Sequence, residues 1–414
     1  MASITATATT SGLNHVTRAL VILLGAAVFL NYVDRGSIAI AAPKMTEELG
    51  LTATRFGTAV SAFFWIYAPV QLFAGWMCDR FSVYRLMAIG VIVWAASTLL
   101  MGFVGGFVSL LALRVMLGLG ESIAFPGSSK IIAQHVPAER RGIANAAVAM
   151  GIALGPAVGT LIGGMILVQL GWRAIFICCG LATLIWLLPW QRVVSKLPAG
   201  PEGVAEPMVP MRRLIGRWSL WAMSIGHAAG NYSFYFMLAF LPLYLVKQRG
   251  FTIEQMTLVA TLGYAVQAVA ALSLGHISDR WTRSGRSEAA MRRWMLVVSQ
   301  AVAAACILGV AASHDIVTIA LLLCVAGAAT ASLSTNLYAV AQMFSGPRAA
   351  GTWIGVQNAF GNVSGIVGPV ISGIMIDRFG YGSAFALAAG VAAFGAIWWA
   401  IGVPRIAQVK VESY

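Results

Sequence analysis

Four ionisable residues lie in otherwise apolar sequence: Asp34 and Arg35 in "FLNYVDRGSI", and Arg114 and Glu121 in "RVMLGLGESIAFPG". A charge at hydrocarbon depth costs roughly 2.5–3.5 kcal/mol on insertion scales, so four of them need a reason. An Arg keeps its proton, and its planar fork pairs with a carboxylate through two hydrogen bonds. Arg35 or Arg114 can therefore hold an anion. The proton affinity of a carboxyl group in low dielectric depends on whether an Arg stands beside it. Asp34 and Glu121 can thus change protonation when their Arg partner is taken by a ligand or reached by water. Arg114 and Glu121 are seven residues apart and share one helix face, whereas Asp34 and Arg35 point about 100° apart and need separate partners. A permanent neutral cluster would stabilise the chain poorly compared with apolar packing.

The elements that must hold these residues follow from composition. Of 414 residues, 59% are hydrophobic and 10% charged, whereas a soluble domain carries about 25% charged residues. The solvent of this chain is mostly lipid. Apolar runs of the length that a membrane requires fall at 18–42, 55–78, 84–104, 107–131, 141–168, 172–194, 218–246, 252–278, 293–313, 315–344, 349–376 and 381–403. An even number of spans leaves both termini on one side. Nineteen of the 27 Lys and Arg fall in the loops on that side, and Lys44, Arg55, Arg173, Lys247, Arg249 and Arg378 in the opposite ones. The positive-inside rule then predicts cytoplasmic termini. The net charge of +13 is explained by topology, and no nucleic-acid partner is expected. The five cysteines have neither metal nor disulfide spacing. Asp34 and Arg35 where a mature start would lie argue against a signal peptide. There is no zinc motif, phosphate loop or nucleophile elbow, so neither an enzyme, a metal nor a cofactor is expected.

The chain also repeats itself. At an offset of 200, Asn31, Tyr32, Gly50, Thr52, Gly75, Asp79 and Arg80 match Asn231, Tyr232, Gly250, Thr252, Gly275, Asp279 and Arg280. At 209, Gly142, Gly159, Gly164, Gly171 and Phe176 match Gly351, Gly368, Gly373, Gly380 and Phe385. Two constant offsets mark one ancestral unit used twice. The reading is a six-helix bundle at 1–194, a proline-containing linker at 195–217 and a second bundle at 218–414. Parallel repeats of this kind bind substrate at the midplane between halves. The segments "GWMCDR" (75–80) and "GHISDR" (275–280) end spans at the cytoplasm, and Asp79 and Asp279 can accept from helix N-termini there. Gly75, Asp79, Arg80, Asp279 and Arg280 are the expected conformational latch. Gly151, Gly155, Gly159 and Gly163 make one bare helix face for close packing. At offset 200 the mates of Asp34 and Arg35 are Phe234 and Tyr235, so the charge is one-sided.

The twelve spans, the duplicated Gly-x-x-x-Asp-Arg segments and "RVMLGLGESIAFPG" resemble the major facilitator superfamily. "NYVDR", Arg114-x-x-x-Gly118-x-x-Glu121 and "SAFFWIY" (61–67) resemble its anion:cation symporter family, which includes bacterial sugar-acid importers and animal sialic-acid and vesicular glutamate carriers. The likeness covers nearly the whole chain. It implies an all-α integral membrane protein of twelve helices in two pseudo-symmetric halves, alternating access, and proton-driven uptake of an organic anion. By motif position it implies that Tyr32, Arg35 and Tyr67 contact substrate, that Asp34 and Glu121 carry protons, and that Arg114 is their charge partner. Ser82 stands where the family usually has Gly.

Polar side chains on other spans add Asn362 in "FGNVSG" and Tyr338 as substrate contacts. The stretch "IANAAVAMGIALGPAVG" (143–159) of the fifth span carries only Asn145 as a polar side chain, which favours a less hydroxylated ligand. The expectation is a symporter of a sugar acid or related monocarboxylate, acting as a monomer in the bacterial inner membrane, with protons and lipids as its other partners. The alternatives are export of a more apolar ligand such as a lysolipid or drug, and a non-transporting solute receptor.

Overall fold

The computed structural model of the protein describes residues 15–136, 141–197 and 211–409, the side chains of residues 75, 76, 79, 141–143, 275, 276, 279, 283, 347, 348 and 351 excepted. Twelve of its helices or helix pairs are long and apolar enough to cross a membrane. The first six spans are α1 (His15–Glu48), α2 (Ala53–Arg80), α3 (Val83–Met101), α4 with α5 (Phe107–Glu121, Ala124–His135), α6 (Arg141–Leu170) and α7 (Trp172–Val194). The short α8 (Met211–Ile215) precedes α9 (Trp218–Lys247), α10 (Ile253–Arg283) and α11 (Glu288–Ala312). A continuous run α12 (Ile316–Gly361) bends at Gly346, whose φ of 65° favours glycine, and so holds the tenth span and the start of the eleventh. α13 (Val363–Phe379) and α14 (Tyr381–Ile397) complete the chain's spans. The prolines of the expected linker lie outside the described residues, as do the side chains of Gly75, Asp79 and Asp279. Arg80 and Arg280, the rest of the expected latch, are exposed at their helices' ends.

Residues matched in the repeat do matching work. Gly50 and Gly250 turn the chain at φ 59° and 71°, and Thr52 and Thr252 then cap α2 and α10 through their side-chain oxygens. Gly171 and Gly380, at φ 82° and 80°, open α7 and α14. A side chain at Gly118 would collide with the Phe63 carbonyl, and one at Gly327 with the Gly263 carbonyl. This equates the α4–α2 crossing with the α12–α10 crossing at the same two offsets.

The halves meet along α2–α13 and α6–α10. Both contacts press a glycine against the other half: Gly373 on Ala53 and Thr54, and Gly164 on Thr257. At this end Asp377 of α13 accepts from the Ala53 and Thr54 amides of α2, at 3.0 and 2.8 Å. Thr52 takes the Arg55 amide at 3.2 Å. The three amides at the start of α2 that lack a helical acceptor are thus all satisfied, two of them from the opposite half.

Candidate functional site

The site begins with the approach of α6 to α1. Gly151 lies against Gly25 and Phe29, Gly155 against Tyr32, and Gly159 against Val33. This bare face brings the two helices together at the residues that carry chemistry and turns Asp34 toward α3 and Arg35 toward α4. The two neighbours have separate partners, as their angular separation requires. Asp34, 3% exposed, accepts from the Trp94 indole N–H and from Thr98 Oγ1 at 3.0 Å. Arg35 Nε donates to Glu121 Oε2 at 3.1 Å, and Glu121 is fully buried.

Three rings surround the Arg35 guanidinium. Its central carbon lies 4.6 Å from the ring centre of Tyr67, 5.0 Å from Phe63 and 5.2 Å from Tyr32. Phe63 and Tyr67 stack on each other at 4.8 Å. Desolvated cation–π contacts of this kind are worth about 2 kcal/mol and hold the cation without neutralising it.

Arg114 is placed otherwise than expected. It makes no ion pair among the described residues. Its Nε and Nη2 donate to the Ala59 and Val60 carbonyls at 3.2 and 3.4 Å, and its carbon lies 5.2 Å from the Phe63 ring. It therefore braces α2 against α4, and the partner of Glu121 is Arg35. The reason is reach: the α2 carbonyls and Arg114 lie against the Gly118–Phe63 crossing, one turn from Arg114.

Several buried polar atoms of this cluster have no hydrogen-bond partner: Arg35 Nη2, Glu121 Oε1, Asp34 Oδ1, and both side-chain polar atoms of Asn31. Leaving such an atom unsatisfied costs about 1–3 kcal/mol. They offer one free donor on the cation and one free oxygen on each acid.

Facing them, the second half presents neutral groups. The Tyr235 hydroxyl donates to Asn362 Oδ1 at 2.7 Å, and Asn362 Nδ2 donates to the Asn358 carbonyl at 2.9 Å. The Tyr338 hydroxyl donates to Asn358 Oδ1 at 3.3 Å. Asn358 Nδ2 crosses to Gln71 Oε1 at 2.7 Å, and Tyr235 packs on Phe64 at 4.6 Å. Tyr32, Arg35 and Tyr67 thus converge in one half, and Asn362 and Tyr338 share a hydrogen-bonded chain in the other.

The sequence model of the Major Facilitator Superfamily matches residues 24–291 and 285–413. The chain belongs to this superfamily. As a superfamily member it is a multi-pass membrane protein, and its similar proteins are named as transporters, not enzymes. It is 30% identical to a probable sulfoacetate transporter, SauU, of Cupriavidus necator over 89% of this chain and 90% of that one. It is 27% identical to the hexuronate transporter of Bacillus subtilis, over 91% and 92%. The D-galactonate transporter of Escherichia coli is also 27% identical, over 92% and 94%. Its fold matches a bacterial homologue of the human lysosomal transporter Spinster, solved inward-facing and unoccupied, with TM-score 0.75, 19% identity and coverage of 95% and 96%.

Sequence reasoning missed Phe63, Gln71, Trp94 and Thr98. Phe63, Tyr67 and Gln71 recur every four residues, a single stripe of α2. Trp94 and Thr98 have the same spacing on α3, and both donors reach one carboxylate. Each stripe was readable once Asp34 or Arg35 was taken as its target.

Proposed function

We propose that this transporter takes up an organic carboxylate together with protons, by alternating access, across a bacterial inner membrane with both termini in the cytoplasm. One observation carries the reading. Arg35 pairs with Glu121 through Nε only, and its buried Nη2 has no partner. A substrate carboxylate satisfies that donor and competes with Glu121 for the rest of the fork. Glu121, losing its cation in a buried site, takes a proton through its free oxygen. Asp34 is anchored to α3 by Trp94 and Thr98 and also keeps one free oxygen, so it is a second proton station. One proton taken by Glu121 for each carboxylate bound leaves the net charge of the cluster the same loaded as empty, a condition for reorienting across a low-dielectric barrier.

The names of the similar proteins support the reading: sulfoacetate, hexuronate and galactonate are all organic acid anions. Tyr32, Tyr67, Tyr338 and Asn362 line the substrate, Arg114 holds the frame, and the Asp79 and Asp279 segments latch the end opposite Asp377.

The test is binding of a panel of carboxylates, by thermal shift, to wild type and to Arg35→Lys. The lysine keeps the charge but loses the planar fork. A charge-assisted hydrogen bond is worth about 1.5–3 kcal/mol, so affinity should fall by roughly 10- to 150-fold. Methyl esters of the acids that bind should not bind wild type. Equal binding of acid and ester would overturn the reading.

A further inference from the structure

Asn31 is the buried polar residue of α1 to which the anion-uptake reading gives no task. It is fully buried, and neither its Nδ2 nor its Oδ1 has a hydrogen-bond partner. A helix turns 100° per residue, so Asn31 lies about 60° from Asp34 on one side and about 40° from Arg35 on the other, roughly one turn along the axis. It therefore sits in the angle between the two acids' binding sites, Asp34 on α3 and Glu121 on α4. Its mate in the second half is spent differently. Asn231 Nδ2 donates to the Gly361 carbonyl at 3.1 Å, and the mates of Asp34 and Glu121 there are Phe234 and Thr330. Where the acids are missing, this asparagine ties helices together; where they are present, it is left free.

The acids also keep one free oxygen each. Trp94 and Thr98 both donate to Asp34 Oδ2, which leaves Oδ1 without a partner. Arg35 donates to Glu121 Oε2, which leaves Oε1. A side chain at Gly120 would run into the Trp94 backbone, so the residue before Glu121 touches the residue that holds Asp34. The two carboxyl groups lie within electrostatic range of each other. Both free oxygens and the Asn31 amide thus face the wedge between α1, α3 and α4. The other titratable groups around the pair are Arg35, Arg114, Tyr32, Tyr67 and Cys179. The arginines keep their protons, and phenols and a thiol are weaker acids than a carboxyl group, so none of them replaces Asp34 as a donor.

We propose that Asn31 is a positioning residue that holds a water molecule between Asp34 and Glu121 and makes the two acids one proton relay. The proposal rests on the proton-coupled reading and supplies the proton that Glu121 takes when a carboxylate occupies Arg35. The water accepts the proton of Asp34 Oδ1 and gives one of its own to Glu121 Oε1. Asp34 becomes a carboxylate, Glu121 becomes neutral, and the water is regenerated. Asp34 then takes a proton from the open side, so one proton enters per cycle. Asn31 orients the water, with Nδ2 donating to its oxygen and Oδ1 accepting its second O–H. An amide both donates and accepts without ionising. A buried water makes about three hydrogen bonds to groups otherwise unmet, and these four atoms supply them.

The test is time-resolved infrared difference spectroscopy of the purified protein after photolysis of a caged proton, with the two carboxyl bands assigned through Asp34→Asn and Glu121→Gln. In wild type the Glu121 band should rise by way of Asp34, so Asp34→Asn slows it. Asn31→Leu, close in size, should slow the Glu121 band by at least about tenfold, the effect of about 1.4 kcal/mol in the barrier, while the Asp34 band keeps its rate. A water O–H band that shifts in heavy-oxygen water should accompany the wild-type response and vanish in Asn31→Leu. Asn31→Ser, whose hydroxyl donates and accepts, should restore both, a rescue that a packing role does not give. The retained Asp34 band certifies folding, and Asn31→Val, smaller and equally apolar, gives the same comparison if crowding unfolds the leucine variant. A Glu121 band as fast in the apolar variant as in wild type, or a wild type without the water band, refutes the relay and leaves proton coupling standing. A wild type in which neither carboxyl band responds to the acid overturns the proton-coupled reading itself.

Discussion

Asp377→Asn tests the halves' contact directly. Its two carboxylate oxygens accept the Ala53 and Thr54 amides of the opposite half at 3.0 and 2.8 Å. An asparagine keeps one acceptor oxygen, turns an amide NH₂ toward the other backbone N–H, and removes a negative charge from a helix N-terminus. A helix cap is worth about 0.5–2 kcal/mol and a charge at the helix dipole 0.3–1 kcal/mol. Asp377 is exposed, so water replaces part of the loss, and about 1 kcal/mol is the expected net effect. That is roughly a fivefold change in the ratio of the two conformations, and a state populated at about 90% falls to roughly 60–65%. The mate of Asp377 at offset 209 is Val168, and α10 is capped from within its own helix by Thr252 and Gln255. Among the described residues no second latch of this kind compensates. Spin labels at Leu170 and Val317, both exposed and on opposite halves, in a background lacking the five native cysteines, report the ratio as two distance populations. An unchanged distribution in Asp377→Asn would refute the assignment of Asp377 to holding this end closed.

Two further outcomes are expected. Glu121→Gln, with its fixed neutral side chain, should exchange labelled for unlabelled substrate in proteoliposomes while failing to accumulate it under an inward proton gradient; retained accumulation would move the coupling role to Asp34. Gly118→Val forces a side chain into the Phe63 carbonyl and pushes α4 off α2, costing about 1–3 kcal/mol; an unchanged melting temperature in detergent would contradict the close crossing.

Much of the architecture was legible because lipid imposes it. Twelve apolar runs, the glycine turns at 50 and 250, and the offsets of 200 and 209 specify helices, turns and pseudo-symmetry with no tertiary information. The ion cluster was legible as a set, since charge in hydrocarbon is conspicuous, yet its pairing was not. Helix spacing says that Arg114 and Glu121 share a face, but not that the Ala59 and Val60 carbonyls come within reach of Arg114 and take its donors. That depends on how closely α4 approaches α2, which Gly118 decides. The aromatic ring around Arg35 was half visible, through Tyr32 and Tyr67. Phe63 looks like any lipid-facing residue until a cation is known to sit over it. Asp377 was not singled out in the sequence, because the amides that it caps lie over three hundred residues away.

The placement of the charges explains how binding in one half can move the other. Arg35–Glu121 ties α1 to α4, and Asp34 with Trp94 and Thr98 ties α1 to α3, so every strong polar contact of the cluster is internal to the first bundle. None of these crosses to the second half, and the bundle can rotate without breaking them. What crosses is softer: the Phe64–Tyr235 ring contact and the Gln71–Asn358 hydrogen bond. Both come from α2: Gln71 belongs to the stripe that packs on Arg35 through Phe63 and Tyr67, and Phe64 touches both of those rings. On the proposed reading, a carboxylate that draws the guanidinium away from Glu121 would shift the rings around it, and Phe64 packs edge-on against two of these, Phe63 and Tyr67. Tyr235 feels the shift and passes it to Asn362, at the start of α13, the same helix that ends in Asp377. On the proposed reading, anion binding at Arg35 and the cap on α2 would be the two ends of one mechanical path. In the variant Tyr235→Phe, which keeps the ring contact but cuts the hydrogen bond to Asn362, substrate should still bind while losing its influence on the conformational ratio read by the Leu170 and Val317 labels.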